Sequence, residues 1–343
     1  MKFAFFTWLA TRALILVAFV LAVPHGALAA FGNWDGAWYG SIVAHGYQYA
    51  ADGAKYNVAF FPLFPLLSAL LVRIGIGWPL AGVIVNNLAF LPAILLLASL
   101  VRAATDDRAA RWVAVVACVA PPSLFGSVAY SEGLFMLFSV LALWYVRRER
   151  YVYAGIAAAF AAMTRPFGIA LALAVIVAAL VERRSVREIL ASSIGLLGVA
   201  AFPLFCWLRF GDAIAFVHSA NAWRHVSGFD PAGWLALARG AIWGNLNDCV
   251  SLALIAAVVP CAIASRRLLG LTGVLFLALS TLLVLFAGEP ISVGRYLYAC
   301  VPLLAAVAMA CRRFPVVGYL AAGAGLSILF LDAMAFAAFR WVG

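Results

Sequence analysis

Charge is what this chain of 343 residues has least of: Asp, Glu, Lys and Arg together make up 10% of it. A soluble domain carries about 25%. With 67% of residues hydrophobic, there is too little charge to cover a water-facing surface. The apolar runs recur from end to end, so no stretch is left for a separate soluble domain. Histidine is also rare, and His25, His45, His218 and His225 are too dispersed to form a metal-ligand set. The six cysteines contain no C-x-x-C pair and read as small buried residues. Phosphate loops, dinucleotide fingerprints and G-x-S-x-G elbows are missing as well, which excludes the nucleotide-binding and serine-hydrolase classes they mark.

What remains is hydrophobic length. A bilayer core about 30 Å thick takes roughly 20 apolar residues to cross. Runs at 14–30, 83–101, 189–208, 271–287 and 316–338 meet that length, and shorter ones lie between them. The net charge of +10 sits in small clusters between the runs: Arg102/Arg108/Arg111, Arg147/Arg148/Arg150, Arg183/Arg184/Arg187, Arg266/Arg267 and Arg312/Arg313. That is the positive-inside pattern of cytoplasmic loops, not the basic stripe of a nucleic-acid binder. Asp106-Asp107 lies among the first of these arginines and reads as a salt-bridged loop rather than a metal pair.

Placing the clusters and the N-terminus in the cytoplasm predicts about eleven spans, within a range of ten to twelve. They fall near 8–28, 79–101, 112–128, 133–147, 151–164, 166–182, 189–208, 249–265, 270–287, 296–311 and 315–338. The first is read as an uncleaved span, although Ala27-Leu28-Ala29-Ala30 resembles a signal-peptidase site. Residues 58–74 are read as a helix lying in the external interface or dipping in and back, since a crossing there would invert every later loop. The expectation is a single all-α polytopic unit over 1–343, in the inner membrane, with interfacial external loops.

On this topology the chemically capable residues gather outside, in 32–56, 210–248 and 288–298 and in the turns 127–132 and Thr164-Arg165-Pro166. Asp35 is the first carboxylate of the chain, among Trp34, Trp38, Tyr39 and Tyr47. It reads as a partly desolvated general base or as a helix N-cap. Phe60-Phe61-Pro62-Leu63-Phe64-Pro65 reads as a greasy groove for a lipid chain or as a helix entry. Glu132, at the end of a span, is either functional or paired with a residue such as Arg165. Arg295-Tyr296 follows Gly288-Glu289-Pro290, so Arg295 either holds a phosphate with its planar fork or pairs with Glu289.

Taken in order, these residues carry a resemblance. Trp34-Asp35, Gly46-Tyr47 and the run 60–65 are similar to the opening of the PIG-V family, mannosyltransferases of the GT-C superfamily named for the enzyme that adds the second mannose to GPI anchors. Tyr130-Ser131-Glu132, Thr164-Arg165-Pro166-Phe167-Gly168, Gly211-Asp212 with Phe216 and Trp223, and Arg295-Tyr296 with Pro302 resemble its later turns, so the likeness runs from about residue 30 to 305. One departure is Ala220, three residues before Trp223, where bacterial relatives often carry Gln; Asn221 stands beside it.

The resemblance implies a GT-C-type bundle that moves a sugar, mannose by family, from a polyprenyl-phosphate donor to an acceptor hydroxyl on the external face. The acceptor is left open among glycolipid, polysaccharide and protein, and no metal or cofactor is implied. Asp35 would be the base, Arg295 and Arg165 the phosphate ligands, and Trp34, Tyr47, Glu132, Asn221, Trp223, Glu289 and Tyr296 the substrate contacts. Phe60, Phe61, Pro62 and Phe64 would line the lipid groove. The competing expectation is a transporter or lipid flippase, for which the single intramembrane acid, Asp332, speaks.

Overall fold

The computed structural model describes residues 1–224, 226 and 228–342; His225, one of the dispersed histidines, lies outside the described residues. The chain is a multi-pass membrane protein made almost wholly of helices. It begins with α1 (Lys2–Ala22), the short α2 (Ala27–Ala30), α3 (Asp35–His45) and α4 (Leu63–Arg73). A bundle follows: α5 (Leu80–Ala104), α6 (Asp107–Val119), α7 (Glu132–Val146), α8 (Tyr151–Thr164), α9 (Gly168–Val181), α10 (Val186–Ser192) and α11 (Gly195–Phe210). The last third holds α12 (Ala215–Asn221), α13 (Pro231–Ile242), α14 (Leu246–Leu285), α15 (Val293–Ala299), α16 (Val301–Arg313) and α17 (Pro315–Ala337).

All eleven expected segments are at least partly helical. Six of them lie in α1, α5, the α10–α11 pair, α14 and α17, which are long and apolar enough to cross a bilayer. The 40-residue α14 holds two of the six, because Gly270 (φ 70°, ψ −167°) breaks it into two helices. That left-handed angle suits glycine. The segment expected at 296–311 is broken, with α15 and α16 meeting at 86°. Helices α7, α8 and α9 have 14 or 15 residues, about 21 Å of helix and short of a full span. The expected first span, 8–28, is displaced: α1 ends at Ala22, and the chain turns through Pro24 and Gly26. Proline at 24 removes a helical donor in the middle of the apolar run. The expected span at 112–128 likewise stops at Val119, ahead of Pro121-Pro122. Residues 58–74 yield only the 11-residue α4, about 16 Å long and too short to cross.

Close packing of small residues knits the short helices together. A Cβ on Gly198 would lie 2.1 Å from the Ala159 carbonyl oxygen, and one on Gly155 would lie 2.4 Å from that of Ala191. Such backbone approach is how helices associate where no hydrophobic drive separates them from lipid.

The bundle has two chemically distinct ends. Helix α7 begins at Glu132 and its last turn is followed by Arg147, about 22 Å away. Around Arg147, its Nη1 donates to the Leu268 carbonyl (2.5 Å), and Arg184 pairs with Glu149 (2.6 Å). Arg312 pairs with Asp106, whose carboxylate also caps α6 by accepting from the Ala109 N–H. The arginine loops therefore do structural work, as the sequence suggests for Asp106. The partner of Asp106 is Arg312, however, not its sequence neighbours; Asp107 meets Arg102 at 3.8 Å. The other end carries the site.

Candidate active site

Three turns converge at the Glu132 end. Asn86, buried in α5, donates from Nδ2 to the carbonyls of Phe125 (2.7 Å) and Val128 (2.8 Å), and its Oδ1 accepts from the Gly133 N–H (2.7 Å). One amide thus clamps the 120s turn to the start of α7. Gly133 must be glycine here, since a Cβ would meet the Asn86 carbonyl oxygen at 2.4 Å. Asn86 was not among the sequence candidates; the signal that finds it is a pair of amides, Asn86-Asn87, inside an apolar 25-residue helix.

The turn so fixed presents Glu132, fully buried, to two arginines. Arg165, just past the end of α8, brings Nη1 to 2.5 Å from Glu132 Oε1. Arg295, in α15, donates from Nε to the same Oε1. The Nη1 of Arg295 donates to Asp35 Oδ2 at 2.6 Å. The result is a chain of alternating charge, Arg165–Glu132–Arg295–Asp35. Exposure is lowest at Glu132 and highest at Asp35: the side chains of Arg165, Glu132, Arg295 and Asp35 are 8%, 0%, 4% and 27% exposed. Aromatic rings enclose the arginines. The Arg295 guanidinium lies 4.6 Å from the Tyr130 ring centroid and 4.8 Å from that of Phe125, and Arg165 lies 5.5 Å from Tyr296. Such rings attract cations through their quadrupoles and keep water away.

The two readings of Asp35 are now separated. The N-cap of α3 is Trp34, and it makes no side-chain cap bond. The carboxylate of Asp35 goes to Arg295 instead. Its backbone is pinned, with its N–H donating to the Tyr130 hydroxyl (3.1 Å). Trp34 takes φ 57°, rare for a non-glycine residue, and stacks on Phe339 at 4.6 Å. Such a conformation persists only where the surrounding structure over-determines it. Of the alternatives for Glu132, the Arg165 pair is present. Arg295 also binds Glu132 and Asp35, two partners its sequence position beside Glu289 did not suggest.

The remaining expected residues divide. Tyr296 joins the network through Arg165 and Phe167 (5.1 Å). Trp223 lies over Trp38 (5.3 Å) and Phe60 (6.0 Å), one helical turn beyond Asp35. Tyr47 is drawn away, donating to the Phe60 carbonyl (2.8 Å) and packing on Phe202 and Phe205. Asn221 is exposed at the end of α12, and Glu289 follows β2 (Ala287–Gly288), which pairs in parallel with β1 (Gly228–Phe229). The run 60–65, expected to line a lipid groove, is largely packed on neighbouring rings, with Phe60 partly exposed. Phe61, Pro62 and Phe64 are buried, with Phe61 on Phe202 and Phe216 and Phe64 on Tyr39. Pro62 stands directly before α4, whose first turn carries the buried Leu63, Phe64 and Pro65.

The α11–α12 loop is tied to 46–57. Tyr49 donates to Asp212 Oδ2 (2.7 Å), His218 Nδ1 meets the same oxygen (2.7 Å), and Ser219 bonds both the N–H and the carbonyl of Tyr56. The hydrogen bond from Tyr49, with those from His218 and the Ile214 N–H, holds the Asp212 carboxyl below its usual range, and the tyrosine hydroxyl is pushed up to about 12 by burial and by that bond.

A family model for mannosyltransferase (PIG-V) matches residues 9–197, more than half of the chain. The chain belongs to this family. The GPI alpha-1,6-mannosyltransferase 2 of Mus musculus is 31% identical over 157 residues, covering 42% of this chain and 30% of the mouse protein. That of Rattus norvegicus is 32% identical over 155 residues, covering 41% and 30%. This PIG-V family chain thus matches under a third of the length of these relatives. Among solved structures, ArnT from Cupriavidus metallidurans bound to undecaprenyl phosphate is similar at a TM-score of 0.55 and 14% identity, over 96% of this chain and 76% of that one. The Archaeoglobus fulgidus oligosaccharyltransferase is similar at 0.50 and 14%, over 97% and 53%. At such identity the likeness is one of fold, and the PIG-V family chain has the GT-C helical architecture.

Proposed function

We propose that the protein transfers a sugar, mannose by family, from a polyprenyl-phosphate-sugar donor to an acceptor hydroxyl on the external face of the inner membrane, with inversion. The observation that carries this reading is the Asp35–Arg295–Glu132–Arg165 chain, which sets one partly exposed carboxylate against two buried arginines. The family's relatives are named as mannosyltransferases, and a fold neighbour was crystallised with undecaprenyl phosphate. The placement of arginine clusters at the opposite end supports an external site under the positive-inside rule.

In the proposed reaction the acceptor hydroxyl gives its proton to Asp35 as its oxygen attacks the anomeric carbon. The bond from that carbon to the phosphate oxygen breaks, and its electron pair leaves with the polyprenyl phosphate. Arg295 and Arg165 stabilise the charge that develops there, an effect of ~3–4 kcal/mol for one well-placed donor. Glu132 keeps both guanidinium planes fixed. Tyr296 sits beside Arg165 where the donor sugar would project, and Trp223, with Trp34 and Asn221, would face the acceptor. Transport is disfavoured by the gathering of the charged network at one end of the bundle, since transporters bind near the midplane.

The test is label transfer from polyprenyl-phosphate-mannose to acceptors in a membrane extract by the purified protein. Asp35→Asn, with unchanged thermal unfolding, is expected to lose transfer by 10³-fold or more, on the order of a missing catalytic base. Transfer at the wild-type rate would remove Asp35 from the role of base.

A further inference from the structure

Two features adjoin Arg295, and they differ in how readily a phosphate could enter. One is a cavity of about 30 Å³ lined by Pro121, Asn247, Ser251 and Asp332. That is room for one or two waters and too little for a phosphate. The other is Asp35, bonded to Nη1 and the single member of the charge chain with substantial exposure. An incoming phosphate reaches the guanidinium through the place where the Asp35 carboxylate now sits.

The charges count the same way. Two guanidinium groups and two carboxylates leave the chain neutral as it stands. With Asp35 swung out, two arginines share Glu132 and one positive charge is unmatched. A polyprenyl-phosphate sugar is a phosphodiester and carries one negative charge. It would replace the carboxylate one for one, without leaving a buried charge unpaired. The backbone of Asp35 is fixed by Tyr130, so the exchange requires only side-chain rotation.

We propose that in the unliganded protein Asp35 occupies the anion seat of the donor phosphate, so that donor binding releases the base to the acceptor. This rests on the reading of Arg295 as phosphate ligand given above. It means that the base is masked by Arg295 until a donor is bound, which would suppress proton abstraction without one.

The experiment measures binding of undecaprenyl-phosphate-mannose, without acceptor, to the full-length protein in lipid nanodiscs. Asp35→Asn and Asp35→Ala, which remove the competing charge, are expected to bind it at least tenfold more tightly than wild type, while uncharged undecaprenol binds all three alike. Equal or weaker binding by folded variants overturns the proposal, and so does a matching gain for undecaprenol. Arg295→Gln separates the two readings: if it binds the donor as tightly as wild type, the phosphate assignment itself has failed. A readout on the wild type avoids the variants. Carbodiimide coupling of glycine ethyl ester to Asp35, followed by peptide mass mapping, is expected to speed up when the donor lipid is present; an unchanged or slower rate overturns the exchange.

Discussion

Arg295 meets two carboxylates with one planar fork, through Nε to Glu132 and Nη1 to Asp35. Lysine offers a compact charge on a flexible stem and does not reproduce the planar fork that spans both carboxylates. Arg295→Lys is therefore expected to keep the fold and lower kcat by ~10²-fold, the scale of one lost electrostatic donor, with the acceptor KM little changed in steady-state assays. Glu132 is different, being buried between two cations. Glu132→Gln removes the one carboxylate that Arg165 and Arg295 share, leaving Asp35 as a partner of Arg295 alone, and should cost ~3–5 kcal/mol, as for other broken buried pairs. Thermal unfolding in detergent reads this directly, and an unchanged midpoint would contradict the assignment of Glu132 as the central counter-charge.

Whole elements depend on contacts that join distant turns. Helix α6 starts where Asp106 caps it and is fastened to the end of α16 by Arg312. Those bonds, with that from Arg312 first, hold the Asp106 carboxyl below its usual range. The folded value lies under the unfolded one, so the stabilisation is present above the ordinary Asp range and is lost as pH falls through the lowered value. Protection of the amides at the start of α6, relative to their intrinsic exchange at each pH, should fall on acidification below pH ~4, and Arg312→Gln should shift that onset to higher pH. Between α8 and α11 the contact is backbone on backbone at Gly198. Gly198→Leu would push the helices apart and move Arg165 at the far end of α8. It is expected to lower donor affinity along with stability, measured by the same nanodisc binding.

For the molecule as a whole, the separation of arginine loops from the charge chain is the feature that ties fold to function. Impermeant thiol labelling of intact cells checks which end faces out. Ala51→Cys, in the loop bound to α12, is expected to be labelled from outside, and Arg183→Cys is expected to be labelled only after the membrane is opened. The reverse pattern would place the site in the cytoplasm and remove the lipid-donor reading's topology.

The sequence by itself determined the class of this protein and most of its helices, because lipid immersion depends on local composition and on apolar run length. It also singled out Asp35, Glu132, Arg165 and Arg295, through turns that resemble the PIG-V family. Only the tertiary structure decided who pairs with whom. Asp35 and Arg295 stand 260 positions apart, and no local pattern encodes that contact. Buried charges choose partners by whatever the packing brings within reach. The same packing buried Phe61, Pro62 and Phe64 and made Asn86 the clamp of the site. Composition fixes which residues must leave water, but the geometry of helices in contact fixes which charges they carry with them.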